Sequence, residues 1–434
     1  MMSLLMGSVT LLAVAGSCSQ AVSEPASPVA ETVLATGKAI VVRPGIEVLA
    51  ENGFKQLQGK RVGLITNPTG VDNNLRSTID ILAEAPGVRL TALFAPEHGV
   101  RGDYVAGASV ANDVDKKTGV PVYSLHGRTK KPTPEMLRNV DILVYDIQDI
   151  GCRSYTFIST MGLAMEAAAN AGKEFMVLDR PNPLGGMRVE GNLVEKGRES
   201  FVGQYPIPYI YGLTPGELAE YLNNEGLLGA GVSVDLTVIP MDGWQRNMTF
   251  SQTGMPWVLP SPHIPTTDAA LLYPATGIMG ELSYVSIGVG YTLPFSLAAA
   301  PWIDAQKLSE RLNDIGIPGI EFRPIYYKPF YGQFKNENVA GVQVYIRDAA
   351  NAPLSIIQFY VMQELASMYP SHKAFATATP SRVRMFDQVC GSAKVRQFFT
   401  KRYKVDDMID FWDQDARQFK EKSSKYYIYN DPDI

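Results

Sequence analysis

Within the stretch FAPEHGVRG, residues 94–102, the chain sets Glu97, His98 and Arg101 within five positions, immediately after the apolar run Leu90 to Pro96. A carboxyl group beside an imidazole is suited to acid–base catalysis, to metal binding or to a polar turn. Three other apolar runs end in the same way. RVGLITN closes on Asn67, DILVYDIQD on Asp146, Gln148 and Asp149, and EFMVLDRPN on Asp179, Arg180 and Asn182. Just beyond the second run, GCRSYT adds Arg153 and Tyr155 at the expected start of a helix, where a guanidinium and free backbone N–H groups together hold a carboxylate.

These residue types narrow the chemistry. No GxGxxG or GxxxxGK[ST] loop opens a helix, so no dinucleotide or nucleotide cofactor is expected. Four histidines without CxxC or HExxH spacing give a metal site little support. Carboxylates, amides and arginines around one crevice fit hydrolysis of a polar substrate such as a sugar, which needs a general acid and a second group that stabilises or traps an oxocarbenium-like centre. Glu97 suits the acid, with His98 orienting it by a hydrogen bond, and Asp146 suits the second role. Each has a plainer alternative: Glu97 as a cap on the turn at Gly99, Asp146 as a helix cap or ion-pair partner of Arg153. His126 and His372 lack such company and read as surface or packing residues.

The elements that position these groups follow from periodicity. RVGLITN, RLTALFAPEH, DILVYDIQD, EFMVLDRPN and VDLTVIP read as strands, and LRSTIDILAEA, TPEMLRNV, YTFISTMGLAMEAAANAG and TPGELAEYLNNEG as the helices between and after them. That alternation is the signature of βαβ units. It predicts an α/β fold, a Rossmann-like, doubly wound and mostly parallel sheet domain followed by a smaller α/β C-terminal domain. In such sheets ligands bind outside the carboxyl ends of the strands, so the polar clusters should converge on one crevice. RPNPLGG would hold Asn182 toward it.

From residue 255 to 295 the texture becomes Pro/Gly/aromatic-rich loop, and the domain boundary is placed there, giving domains at 42–265 and 266–434. In the second, a helix is expected from Asp304 to Ile315, a strand at GVQVYIR, helices at Leu354 to Met368 and Val395 to Arg402, and a terminal strand or loop at KYYIYNDPDI. A chain of 434 residues, 46% hydrophobic, is long enough to bury two such cores. A net charge of -5 without a Lys/Arg run argues against a nucleic-acid partner.

The N-terminus is expected to be a lipoprotein signal peptide over residues 1–18. Its apolar core from Leu4 to Ala15 is too short to span a bilayer, and Ala15-Gly16-Ser17-Cys18 resembles a lipobox that would make Cys18 a lipid anchor. Residues 19–41, rich in Ser, Pro and Ala, read as a disordered tether. Membrane contact would then be through the anchor alone, with the protein exported and periplasmic or outer-membrane associated. Cys152 and Cys390 leave room for one disulfide.

FAPEHGVRG, YDIQDIGCRSYTF, LDRPNPLGG, GLTPGELA, PSPHIPT and LYPATG occur in this order, and together they resemble the bacterial family of exo-β-N-acetylmuramidases over nearly the whole chain from Val42. The resemblance implies removal of N-acetylmuramic acid from the non-reducing ends of peptidoglycan fragments, without metal or organic cofactor, in a cleft between a Rossmann-like domain and a smaller one. It implies that Glu97 is the catalytic acid and that His98 belongs to the site. It also brings in Glu281, retained in a loop where Ser283, Tyr284 and Val289 replace the Thr, Asn and Arg of the pattern, and His263, where many relatives carry Asn. The lactyl carboxylate of muramic acid calls for a cation, for which Arg153 and Arg180 are the candidates. The full substrate-binding set is thus Asn67, Arg101, Gln148, Asp149, Arg153, Tyr155, Arg180, Asn182, His263 and Glu281. The competing reading is a muropeptide- or glycan-binding lipoprotein without turnover.

Overall fold

Continuous burial along the apolar runs marks a sheet covered on both faces. The computed structural model describes residues 41–97, 99–102 and 113–430, so His98 and Cys18 lie outside the described residues. Seven strands form one sheet: β1 (Arg61–Thr66), β2 (Arg89–Ala95), β3 (Asp113–Val114), β4 (Pro121–Ser124), β5 (Ile142–Asp146), β6 (Glu174–Leu178) and β7 (Leu236–Ile239). Their order is β3-β4-β2-β1-β5-β6-β7, parallel throughout except for β3 against β4.

Period-2 alternation assigns the two faces. Val62, Leu64, Leu93, Val144 and Met176 face one side, where α1 (Gly45–Glu51) and α2 (Thr78–Glu84) cover them with Ile46, Leu49, Ile79 and Leu82. Ile65, Phe94, Leu143, Tyr145 and Phe175 face the other, under α3 (Phe157–Asn170) and α4 (Pro215–Asn224). Helices on both faces make the sheet doubly wound, as the sequence pattern predicts. The winding reverses between β1 and β5, so the ends of these strands open on the topological switch point.

The second sheet is antiparallel, β8 (Leu297–Ala300), β9 (Ile320–Tyr327) and β10 (Val339–Ile346) in the order β8-β10-β9. It packs with α5 (Thr267–Gly280), α6 (Ala305–Asp314) and α7 (Ile357–Met368) in a core that runs on into Ile150, Cys152, Tyr209 and Ile210. Both described cysteines are free and buried there.

Three expectations change. TPEMLRNV forms turns instead of a helix. The stretch read as a continuous loop from 255 to 295 contains α5. Its apolar residues surround the helix on all sides and Pro274 interrupts the pattern, so no amphipathic period shows. The helix expected to open at Arg153 begins at Phe157.

Candidate active site

Parallel register sets the first candidate pair. β2 and β4 align Ala95 with Ser124, so the residues two further on, Glu97 and His126, emerge side by side. His126 Nδ1 stands 4.0 Å from Glu97 Oε2, and the Glu97 side chain keeps 32% of its surface exposed. His126, read from sequence as an ordinary packing or surface residue, is therefore a neighbour of the candidate acid. The signal lay in PVYSLH, a strand of four residues too short to stand out.

Behind this pair, β1 and β5 deliver a floor of amides and carboxyls. Asn67 accepts from the Thr69 amide and hydroxyl, leaving its Nδ2 unpartnered. Gln148 donates to the carbonyls of Asp149 and Pro181, leaving its Oε1 unpartnered. Asp149 Oδ2 accepts from the Tyr211 hydroxyl and the Gly151 amide, and its Oδ1 has no partner. Burial pushes the Asp149 pKa up to about 7 against those hydrogen bonds. These three side chains are enclosed, so they shape the base of the strand-end region from within the fold.

Tyr155 ties the floor to the second half of the chain. Its ring meets Tyr273 of α5 at 5.9 Å. Its hydroxyl lies next to Ser261 without a well-formed hydrogen bond and feels the charges of Asp149 and Glu97. Tyr273 shares a 3.1 Å hydrogen bond with Ser154 and feels Glu281. Glu281 follows α5 directly, and burial raises its pKa against the opposing charge of Arg382, 3.9 Å away. His263 is half-buried, which lowers its pKa, and it stacks on Tyr331.

Five of the sequence candidates serve the scaffold. Arg153 is 1% exposed and donates to the carbonyls of Asn192, Ile207 and Val389, so it cannot reach a substrate carboxylate. Arg180 grips Asp146 with two hydrogen bonds of 2.5 and 3.0 Å and donates to Val71 O. Asp146, expected as the second catalytic group, is fully buried and also accepts from Thr78, so both its oxygens are engaged within the fold, and its ion-pair partner is Arg180, not the Arg153 of the plainer alternative. Asn182 spends its amide on Leu213 O and Leu184 N. Arg101 pairs with Asp80 and Asp115, holding the Asp115 carboxyl down to about 2. In each case a strand-end position placed the residue correctly along the chain, but side-chain direction turned it into the fold.

Sequence profiles of the two domains of the exo-beta-N-acetylmuramidase NamZ match residues 62–268 and 271–429. The chain is 45% identical to the peptidoglycan beta-N-acetylmuramidase NamZ of Bacillus subtilis (strain 168) over 394 residues, 91% of this chain and 93% of that protein. The chain belongs to the NamZ family. Among solved structures, a DUF1343 family protein of Bacteroides fragilis superposes with a TM-score of 0.87 at 56% identity, covering 90% of this chain and 100% of its own. A second such protein from the same organism gives 0.67 at 27% identity, with 90% and 99% covered. The NamZ profiles thus span both the Glu97–His126 corner and the Tyr273–Glu281 wall.

Proposed function

We propose that this chain is an exo-acting β-N-acetylmuramidase, a glycoside hydrolase that removes N-acetylmuramic acid from the non-reducing ends of peptidoglycan fragments, with Glu97 as general acid. The observation that carries the reading is a partly exposed Glu97 beside His126, at the carboxyl edge of the sheet where Asn67, Gln148 and Asp149 also follow neighbouring strands. Membership of the NamZ family supports the substrate class.

In this reading Glu97 protonates the glycosidic oxygen as the bond to the terminal sugar breaks. His126, with its ring nitrogen 4.0 Å from Glu97, flanks the acid and restricts its rotamers. Asp146 holds the floor in place through Arg180 without touching the sugar. With Arg153 and Arg180 committed to the scaffold, selection of the lactyl carboxylate falls to Arg382, whose side chain is 50% exposed and only loosely held by Glu281. The apolar leader ending at Cys18 supports export as a lipoprotein.

The test is the Glu97→Gln variant on a chromogenic β-N-acetylmuraminide. Turnover should fall about 10²–10⁴-fold with folding and ligand binding intact. Near-wild-type turnover by the variant removes Glu97 from the mechanism, and saturable binding by the unmodified protein without any release would make the chain a glycan-binding protein.

A further inference from the structure

The loop between β9 and β10 carries aromatic rings where a surface normally carries polar groups. Phe330 is 61% exposed and Tyr331 49% exposed, on consecutive positions. Large exposed apolar side chains that adjoin one another mark a binding surface more often than isolated ones do. Here the backbone beneath them is braced. The Phe330 amide donates to Gly290 O at 2.7 Å, and a Cβ added at Gly290, with φ +94°, would stand 2.0 Å from Tyr331 O. Only glycine allows this approach. From below, Tyr291 meets Phe330 at 5.7 Å and Tyr327 at 4.5 Å, and the Tyr327 hydroxyl donates to Ser286. The rings are therefore presented by a fixed platform.

The platform is continuous with the crevice. Tyr331 stacks on His263 at 6.0 Å with 30° between the planes. His263 lies two positions from Ser261, which adjoins the Tyr155 hydroxyl over the Asp149 floor. The Tyr331–His263 pair thus adjoins, through the segment 261–263, the Tyr155 side of the crevice. An enzyme that removes a terminal sugar keeps the rest of the glycan on the leaving-group side, where it must exit the crevice. The apolar face of a pyranose, with its axial C–H bonds, matches an aromatic ring, and the hydroxyl of tyrosine and the imidazole of histidine match its rim of hydroxyl groups.

We propose that Phe330, Tyr331 and His263 form an acceptor-side subsite that stacks the uncleaved glycan strand beyond the first sugar after the scissile bond. The subsite rests on the muramidase reading for its substrate but is separable from it by binding. It makes the chain prefer strands over disaccharides.

The test compares wild type, Tyr331→Ala and Phe330→Ala on two peptide-free substrates ending in N-acetylmuramic acid, the muramyl-glucosamine disaccharide and a hexasaccharide strand. KM for the hexasaccharide should rise about 3–10-fold in each variant with kcat unchanged, while KM for the disaccharide stays at the wild-type value. Tyr331→Trp should retain strand preference. Equal losses on both substrates, or no loss on either, overturn the subsite. Losses confined to strands that still carry stem peptides overturn it in favour of a peptide contact. Binding of the hexasaccharide by calorimetry, measured in the Glu97→Gln background, separates the two proposals: weaker binding on adding Tyr331→Ala supports the subsite even if wild type releases no sugar, and unchanged binding refutes it whatever the turnover.

Discussion

Replacing Arg153 by Met should destabilise the protein without altering which sugar it prefers. The guanidinium is enclosed and gives hydrogen bonds of 2.7, 2.6 and 3.0 Å to the carbonyls of Asn192, Ile207 and Val389. Methionine fills much of the volume but donates nothing, so three buried carbonyls lose their partner at about 1–3 kcal/mol each, some 6 kcal/mol in the middle of that range. Part of this is offset, because burial lowers the Arg153 pKa from 12.5 to about 10, so holding the charge in the fold costs about 3 kcal/mol, which the variant no longer bears. The difference is a loss of about 3 kcal/mol. Val389 sits on the helix Pro380–Cys390, far along the chain from the other two acceptors, so the loss should also loosen that helix. Urea unfolding followed by circular dichroism measures the stability, and parallel kcat/KM values on a muraminide and the matching glucosaminide measure the preference. A variant as stable as wild type whose muraminide preference falls tenfold would refute the reasoning and restore Arg153 to substrate recognition.

Arg382→Met should lower kcat/KM for the muraminide roughly 10–100-fold while sparing the glucosaminide, since a charge-assisted hydrogen bond contributes about 1.5–3 kcal/mol; a parallel loss on both substrates would show that Arg382 only supports Glu281. Asp149→Asn should alter the pH dependence of stability. Because the folded pKa of Asp149, about 7, lies above its ordinary 3.8, the wild-type fold gains from this proton below pH 4 and loses that gain as pH rises through 7. The melting temperature of the variant relative to wild type should therefore climb between pH 4 and pH 7 and level off above, and a difference independent of pH would remove the proton from Asp149. A Cys18→Ala precursor should leave the membrane fraction and lose lipid labelling; continued membrane partitioning would sink the lipid anchor.

Strand-end polarity and the alternation of strand and helix patterns were legible along the chain, because both are local properties: β1, β2, β5, β6 and β7 end where apolar runs end, and parallel pairing sends their carboxyl ends to one side. That determined the doubly wound sheet and put Asn67, Glu97, Gln148 and Asp149 on its ligand-binding edge. The direction of each side chain there was not local. Arg153, Arg180 and Asp146 sit on the same edge, yet their partners are Asn192, Ile207, Val389, Val71 and Thr78, up to 236 residues away, and an arginine aimed inward has the same letter as one aimed at a sugar. His126 gained its place through the pairing of β2 with a four-residue strand, Tyr273 through a helix hidden by Pro274, and Arg382 through the approach of a helix a hundred residues beyond Glu281. Sequence periodicity reports which face of an element is buried. Which buried group meets which partner is decided by packing between elements distant in the chain, and only the folded arrangement contains that information.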